Sequence, residues 1–207
     1  MRNGRLNKLV KVSLLGVIAF ILMFVEVATP LFPSFLKIDI SDLPALVGAF
    51  ALGPMAGIAI EFLKNLLHGL CGSSTAFIGE LANFAVGSVV VVVASCIYGQ
   101  SKTRKTAVVG LVIGTIAMSL VASVLNYFIL LPLYEKVLHF PISAIVAMGN
   151  KINPNIKDLN SFVVLAILPF NLIKGVILSG LTFAIYKSVS PILYEERNRK
   201  TEFVKNN

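Results

Sequence analysis

Charged side chains are scarce in this chain: Asp, Glu, Lys and Arg make up 14% of 207 residues, whereas 57% are hydrophobic. That balance, with a mean hydropathy of +0.87, excludes an ordinary soluble domain and points to one integral membrane domain spanning residues 1–207. Cysteine is nearly missing as well. Cys71 and Cys96 are too few for a disulfide framework and have no metal-ligand spacing, so they read as packing residues. A formal charge of +8 raises the question of nucleic acid, but no continuous basic stripe with interleaved aromatics accompanies it, which argues against that partner. The catalytic motifs are absent too: no His-Glu-x-x-His, no Gly-x-Ser-x-Gly, no phosphate loop and no dinucleotide glycine fingerprint. An enzyme is not expected, no cofactor is called for, and an ATP-driven step would need its motor on another chain.

What the chain does have is apolar runs of membrane length. The first, about residues 9–29, has a positive flank but no small-residue cleavage site before Pro30, so it is expected to persist as a span rather than leave as a signal peptide. Leu31 to Ser41, with two prolines, Lys37 and Asp39, reads as a loop on the far side. Asp42 to Leu70 would make a helix of about 40 Å at about 1.5 Å per residue, against a hydrocarbon core of about 30 Å. Gly53-Pro54 in its middle is a strong helix breaker, so the region splits into spans at about 42–53 and 54–70. Further spans follow at about 77–98, 107–131 and 161–186.

Six crossings put both termini in the cytoplasm, and the basic residues agree. Arg2, Arg5, Lys8 and Lys11 then fall inside with Lys102, Arg104 and Lys105, and with Lys187, Arg197, Arg199, Lys200 and Lys205. Only Lys37, Lys136, Lys151 and Lys157 fall outside, as the positive-inside rule requires. Five crossings would place the Lys102 to Lys105 cluster outside with the basic tail. The expected fold is therefore all-α, a polytopic six-transmembrane-helix bundle in the cell membrane. Pro141 to Leu159 carries turn chemistry around Gly149 to Asn155 and is expected outside, as a short helix and loop that helps cover a pocket.

Within these spans, a few polar side chains stand where a bilayer rejects them. Glu80 and Asn83, Asn126, and Asn171 with Lys174 all lie toward the outer ends of their helices, at one depth. Ionisable groups at mid-helix cost about 2.5 to 3.5 kcal/mol on the insertion scale and usually face the bundle interior or a wet cavity. Asn171 and Lys174 are three apart and share a helix face, as do Glu80 and Asn83. An ammonium beside amides suits a ligand rich in carbonyls and ring nitrogens. Asn83 and Asn126 also suit interhelical hydrogen bonding, and Lys174 can pair with Glu80 with no ligand involved. Glu61 and Lys64, three apart, read as an internal ion pair, His68 as an interfacial residue, and Glu26 as a carboxylate snorkelling to the interface.

The stretch from Phe35 to Gly48, which includes Lys37-Ile38-Asp39-Ile40-Ser41-Asp42-Leu43-Pro44, resembles the substrate-binding subunits of energy-coupling factor (ECF) transporters. Gly53-Pro54-Met55-Ala56-Gly57 and Glu61-Phe62-Leu63-Lys64-Asn65-Leu66-Leu67 add to the likeness. Asn126-Tyr127-Phe128-Ile129-Leu130-Leu131-Pro132 and Leu168-Pro169-Phe170-Asn171-Leu172-Ile173-Lys174-Gly175 are similar to the riboflavin-specific members, and the likeness runs from about Leu9 to Tyr186. It implies a six-helix bundle that captures riboflavin from outside, then meets a transmembrane coupling subunit and two ATPases. It also implies that Asn126, Asn171 and Lys174 hold the isoalloxazine, that Leu31 to Ser41 is a lid, and that Glu80 accepts from ribityl hydroxyls. Asn83, Asp39 and Leu43 complete the candidate contacts.

The family often displays Ala-x-x-x-Ala on its first helix for docking. This chain has Ser13, Gly16 and Ala19 instead, which suit either docking or a contact within the bundle. Other vitamins, such as thiamine or pantothenate, and a small intramembrane enzyme are the alternatives.

Overall fold

A computed structural model describes residues 2–185. The basic tail from Lys187 to Lys205, and Tyr186 at the end of the expected last span, lie outside the described residues. Helix α1 covers Arg2–Met23. It ends several residues earlier than the expected span, because Glu26–Ala28 forms strand β1, paired antiparallel with strand β2, Lys37–Asp39. The register sets Glu26 opposite Asp39 and Ala28 opposite Lys37. Valine on either side of Glu26 favours extended backbone, and the Glu26 carboxylate pairs with the Lys37 ammonium across the ribbon. The segment read as a plain loop is thus a short hairpin, and Glu26 is an ion-pair partner there.

Gly53 breaks the next region. Helix α2, Leu43–Leu52, and helix α3, Pro54–Gly72, meet at this glycine, whose φ of 97° and ψ of 164° suit a residue without a Cβ. Proline at the first turn of α3 has no N–H to leave unpaired. At ten residues, α2 is about 15 Å long and cannot cross a bilayer by itself.

Helix α4, Ile78–Ser101, and helix α5, Arg104–Leu138, form the tightest pair. Thr103 and Thr106 start α5 with a reciprocal capping box. A Cβ on Gly110 would come within 2.7 Å of the Ala94 carbonyl oxygen, so glycine there lets the two backbones close up. A wide π turn, Asn126–Leu130, interrupts α5 in its C-terminal half. Helix α6, Ile142–Ile152, follows. Helix α7, Leu159–Ile185, starts with a capping box between Asp158 and Ser161 and has its own π turn at Val163–Ile167.

Four of these helices, α1, α4, α5 and α7, are long and apolar enough to span a membrane. The molecule is an all-α membrane bundle with two apolar cores. The larger joins Ala19, Leu46, Ile60, Val90, Met118 and Leu178 from α1 to α5 and α7. The smaller gathers Leu131, Ile145, Ile156, Phe162 and Ile167, and so ties α6 and the chain after it to the π turns. The outward faces remain apolar, with Leu14, Ile21, Val112, Leu120 and Val176 exposed, as a lipid-facing surface requires.

Gly16 packs against Leu63 of α3 and Ala19 is fully buried, which supports the contact within the bundle for those two, whereas Ser13 is exposed. Two readings need correction. Cys71 and Cys96 are both exposed free thiols, not packing residues. His68 is engaged in a polar cluster described below.

Candidate functional site

A cavity of about 270 Å³ lies where the smaller core meets α4, α5 and α7. Its walls take Asn83, Val86 and Gly87 from α4, Asn126, Leu130 and Tyr134 from α5, Ile145 and Met148 from α6, and Phe170, Asn171 and Lys174 from α7. Phe35, Leu36, Lys37 and Asp39 of the hairpin segment close one side. Aromatic contacts fasten that segment to α7: the Phe32 and Phe170 rings meet edge to face at 5.3 Å, and Phe35 stacks on Phe162 at 6.3 Å. Both π turns border the cavity, a placement such turns often have at functional sites.

The amides are poised rather than consumed. Asn126 Nδ2 donates to the Ala122 carbonyl at 2.8 Å, and Asn171 Nδ2 donates to the Ile167 carbonyl at 2.8 Å. Each bond fixes the side-chain rotamer within its own helix and leaves a second N–H and the Oδ1 free to address a ligand. Neither forms the interhelical bond that its residue type suggested for Asn126. Asn83 Oδ1 is buried with no hydrogen-bond partner at all. An apolar chamber with a few convergent polar groups is the usual make-up of a small-molecule site.

Lys174 has partners that its sequence neighbourhood did not reveal. Its ammonium donates to Asp39 Oδ2 at 2.9 Å and lies 3.2 Å from Asp42 Oδ2. It does not pair with Glu80. Lys64 donates to Asp42 Oδ1 and, at 2.9 Å, to the Ser41 hydroxyl, and it lies 2.9 Å from Glu61 Oε2. The expected Glu61 and Lys64 ion pair is therefore present, as part of a larger buried network of three carboxylates and two ammonium groups. Ser41 donates to Asp39 through both its backbone N–H and its hydroxyl. Burial alone would raise the Asp39 carboxyl, but the Lys174 and Lys64 ammonium groups and the Ser41 hydroxyl outweigh it and hold it below the usual carboxylate range.

Of the seven residues singled out from the sequence, Asp39, Asn83, Asn126, Asn171 and Lys174 come together around the cavity. Glu80 and Leu43 are not in its wall. Leu43 belongs to the larger core. Glu80 turns toward the α3 to α4 connection, where His68 Nδ1 lies 2.9 Å from Oε1, and the Ser73 and Thr75 hydroxyls donate to Oε2 at 3.0 and 3.2 Å. This clamp borders a second, apolar pocket of about 300 Å³ walled by Phe62, Phe77 and Phe84. Sequence reasoning missed Ser41 and Asp42 as partners of the lysines. The signal for them was the polar run Asp39-Ile40-Ser41-Asp42 immediately before an apolar helix.

The family model described as "ECF transporter, substrate-specific component" matches residues 7–186. The chain belongs to that family. It is 36% identical over 196 residues to the riboflavin transporter FmnP of Bacillus subtilis (strain 168), covering 94% of this chain and 97% of that one. It is likewise 36% identical over 192 residues to the riboflavin transporter RibU of Staphylococcus aureus (strain TCH60), covering 92% of this chain and 95% of the relative. A solved structure of the S component of a bacterial ECF transporter superposes with a TM-score of 0.73 at 35% identity, covering 91% of this chain and 98% of the other. These relatives are transporters, and the chain is a multi-pass membrane protein of a transport system, not an enzyme.

Proposed function

We propose that this chain is the riboflavin-binding subunit of an ECF-type vitamin uptake system, taking the vitamin from the extracellular side. The observation that carries the reading is the convergence of Asn83, Asn126, Asn171 and Lys174 on one cavity beneath an aromatic-fastened hairpin. The ring system of a flavin presents carbonyl acceptors and an imide donor along one edge. The free N–H and Oδ1 of two fixed amides, with a lysine ammonium beside them, match that alternation. Apolar walls from Val86, Leu130, Ile145 and Phe170 suit its flat aromatic body. The names of the two relatives support the same ligand.

Capture requires the hairpin to part from α7 and return, so Phe32 and Phe35 serve as the lid's anchors. Release is powered elsewhere: the chain has no nucleotide-binding motif, so a coupling subunit and two ATPases supply the work. Both termini in the cytoplasm fit the distribution of lysine and arginine, because α2 and α3 fold back on each other at Gly53, Gly57 against Ala45 and Ala49, and so return the chain to the side it left. The decisive experiment is titration of the purified full chain with riboflavin, following quenching of flavin fluorescence, with thiamine and pantothenate as competitors. Saturable quenching that neither competitor relieves is expected. No quenching, or displacement by thiamine, refutes the assignment.

A further inference from the structure

The second pocket, of about 300 Å³, stands behind the vitamin cavity with α4 between them. Asn83 and Val86 face the cavity while Leu81 and Phe84 face the pocket, as residues two apart do when they stand about 200° apart around a helix. The walls are apolar: Phe62 and Leu66 from α3, Phe77 from the turn that follows, Leu81 and Phe84 from α4, and Leu133 from α5. Phe62, Leu66, Phe77 and Leu81 are also exposed, so this is a groove open at the side of the bundle. Helix α4 is a membrane span that begins at Ile78, which sets the α3 to α4 turn near one bilayer surface and runs the groove from there into hydrocarbon. Between Ile78 and Phe84 it extends about 9 Å at about 1.5 Å per residue. The Phe62 and Phe84 rings meet edge to face at 6.0 Å and close its far end.

Two features separate the groove from ordinary lipid-facing surface. Its rim is held under strain: Ala76 and Phe77 have φ values of 49° and 67°, a left-handed conformation that a side chain as large as phenylalanine rarely adopts. That conformation seats the Phe77 ring on α3 at Gly69, where a Cβ would come within 2.1 Å of the ring. Strain of this kind persists only where the surroundings over-determine it, ligand clamps among them. The groove is also polar at one end only. The clamp of His68, Ser73, Thr75 and Glu80 sits at the turn, and, Asn65 apart, rings and aliphatic side chains line the rest. We propose that the groove is a lipid site holding one acyl chain of a bilayer phospholipid, whose headgroup stays at the α3 to α4 turn. One leaflet of hydrocarbon is about 15 Å deep, half of a core of about 30 Å, so the groove takes the larger part of one chain. Lipid tails are as apolar as leucine, so packing against fixed aromatic walls, and not exclusion from water, retains the chain.

The sequence has no tryptophan, so a single introduced indole reports on its own surroundings. Phe77→Trp places one on the rim of the groove, and Val112→Trp places one on the open lipid-facing side of α5. Each full-length variant is purified in detergent and titrated with phosphatidylcholine brominated along its acyl chains, which quenches indole emission on contact. Expected is a loss of emission at position 77 that saturates near one lipid per protein, little loss at position 112 over the same range, and recovery at position 77 when unbrominated phosphatidylcholine is added in excess. Phe62→Trp, at the far end of the groove, repeats the measurement and carries it if Phe77→Trp does not fold. Equal quenching in the groove and at position 112, or a loss in the groove that rises without saturating, overturns the proposal. So does quenching that unbrominated lipid fails to relieve.

Discussion

Replacing Lys174 with methionine probes the buried network without opening a large void, since the two side chains are of similar length. The ammonium sits 2.9 Å from Asp39 Oδ2 and 3.2 Å from Asp42 Oδ2, in a side chain only 10% exposed. Its removal leaves three carboxylates with Lys64 as their sole ammonium partner. Lys174 and Asp39 both line the cavity, so water in the ligand-free protein offsets part of the loss, and the cost should fall at the lower end of that for breaking a buried ion pair, about 3 kcal/mol. A fall in the unfolding midpoint on the order of 10 °C is expected for a chain of this size. The assay is thermal unfolding of the ligand-free protein in detergent, beside Asp39→Asn/Lys174→Met. The double variant discards one orphaned charge together with its partner, and it should recover about 1 to 3 kcal/mol. Riboflavin affinity is then measured on whichever variant remains folded. If Lys174→Met is as stable as wild type, or the double variant is less stable than the single one, the network does not carry the weight given to it.

Asn171→Ala and Asn126→Ala should each weaken riboflavin by about 1 to 3 kcal/mol, since each strands a ligand group; unchanged affinity in both removes them from the site. Gly53→Ala should destabilise the chain by about 1 to 3 kcal/mol, because a Cβ is strained at a φ of 97°, and equal unfolding midpoints would contradict this. The Asp39 carboxyl lies below the usual carboxylate range, so the stability it contributes is fully present above about pH 4 and lost only as pH falls through its lowered value. Stability should therefore show no step from the Asp39 and Lys174 pair between neutral pH and about pH 5, as comparison of wild type with Asp39→Asn across that range will read out. Glu80→Gln should lower stability through the loosened α3 to α4 turn more than it lowers flavin affinity, and the reverse order would return Glu80 to the ligand.

What the sequence made legible was local. Gly53-Pro54 announces a helix break by its own chemistry, and α2 and α3 meet there. Asn171 and Lys174 share a face because helical spacing dictates it, and both reach the cavity. Glu61 and Lys64 pair for the same reason. The misreadings involve partners brought together by folding. Asp39 and Lys174 are 135 residues apart, and nothing near either one states that a hairpin will carry the aspartate down to the lysine. The fate of Glu80 was hidden in the same way, because helical spacing aligned it with Asn83 while the turn after α3 supplied nearer donors in Ser73 and Thr75. The two π turns also left no readable mark, since one extra residue within an apolar run changes neither hydropathy nor length.

Cys71 and Cys96, which looked like filler in the sequence, are free sulfurs on the outside of the bundle. One lies at the end of α3 and the other near the far end of α4, so the length of α4 separates them by roughly 27 Å at about 1.5 Å per residue. That separation is close to the thickness of a hydrocarbon core, about 30 Å, so the two sulfurs sit at different depths along the bundle. A charged maleimide reacts with a thiol in water far faster than with one in hydrocarbon, so comparing its reaction at Cys71 and Cys96 reads the depth of each sulfur without engineering a single codon.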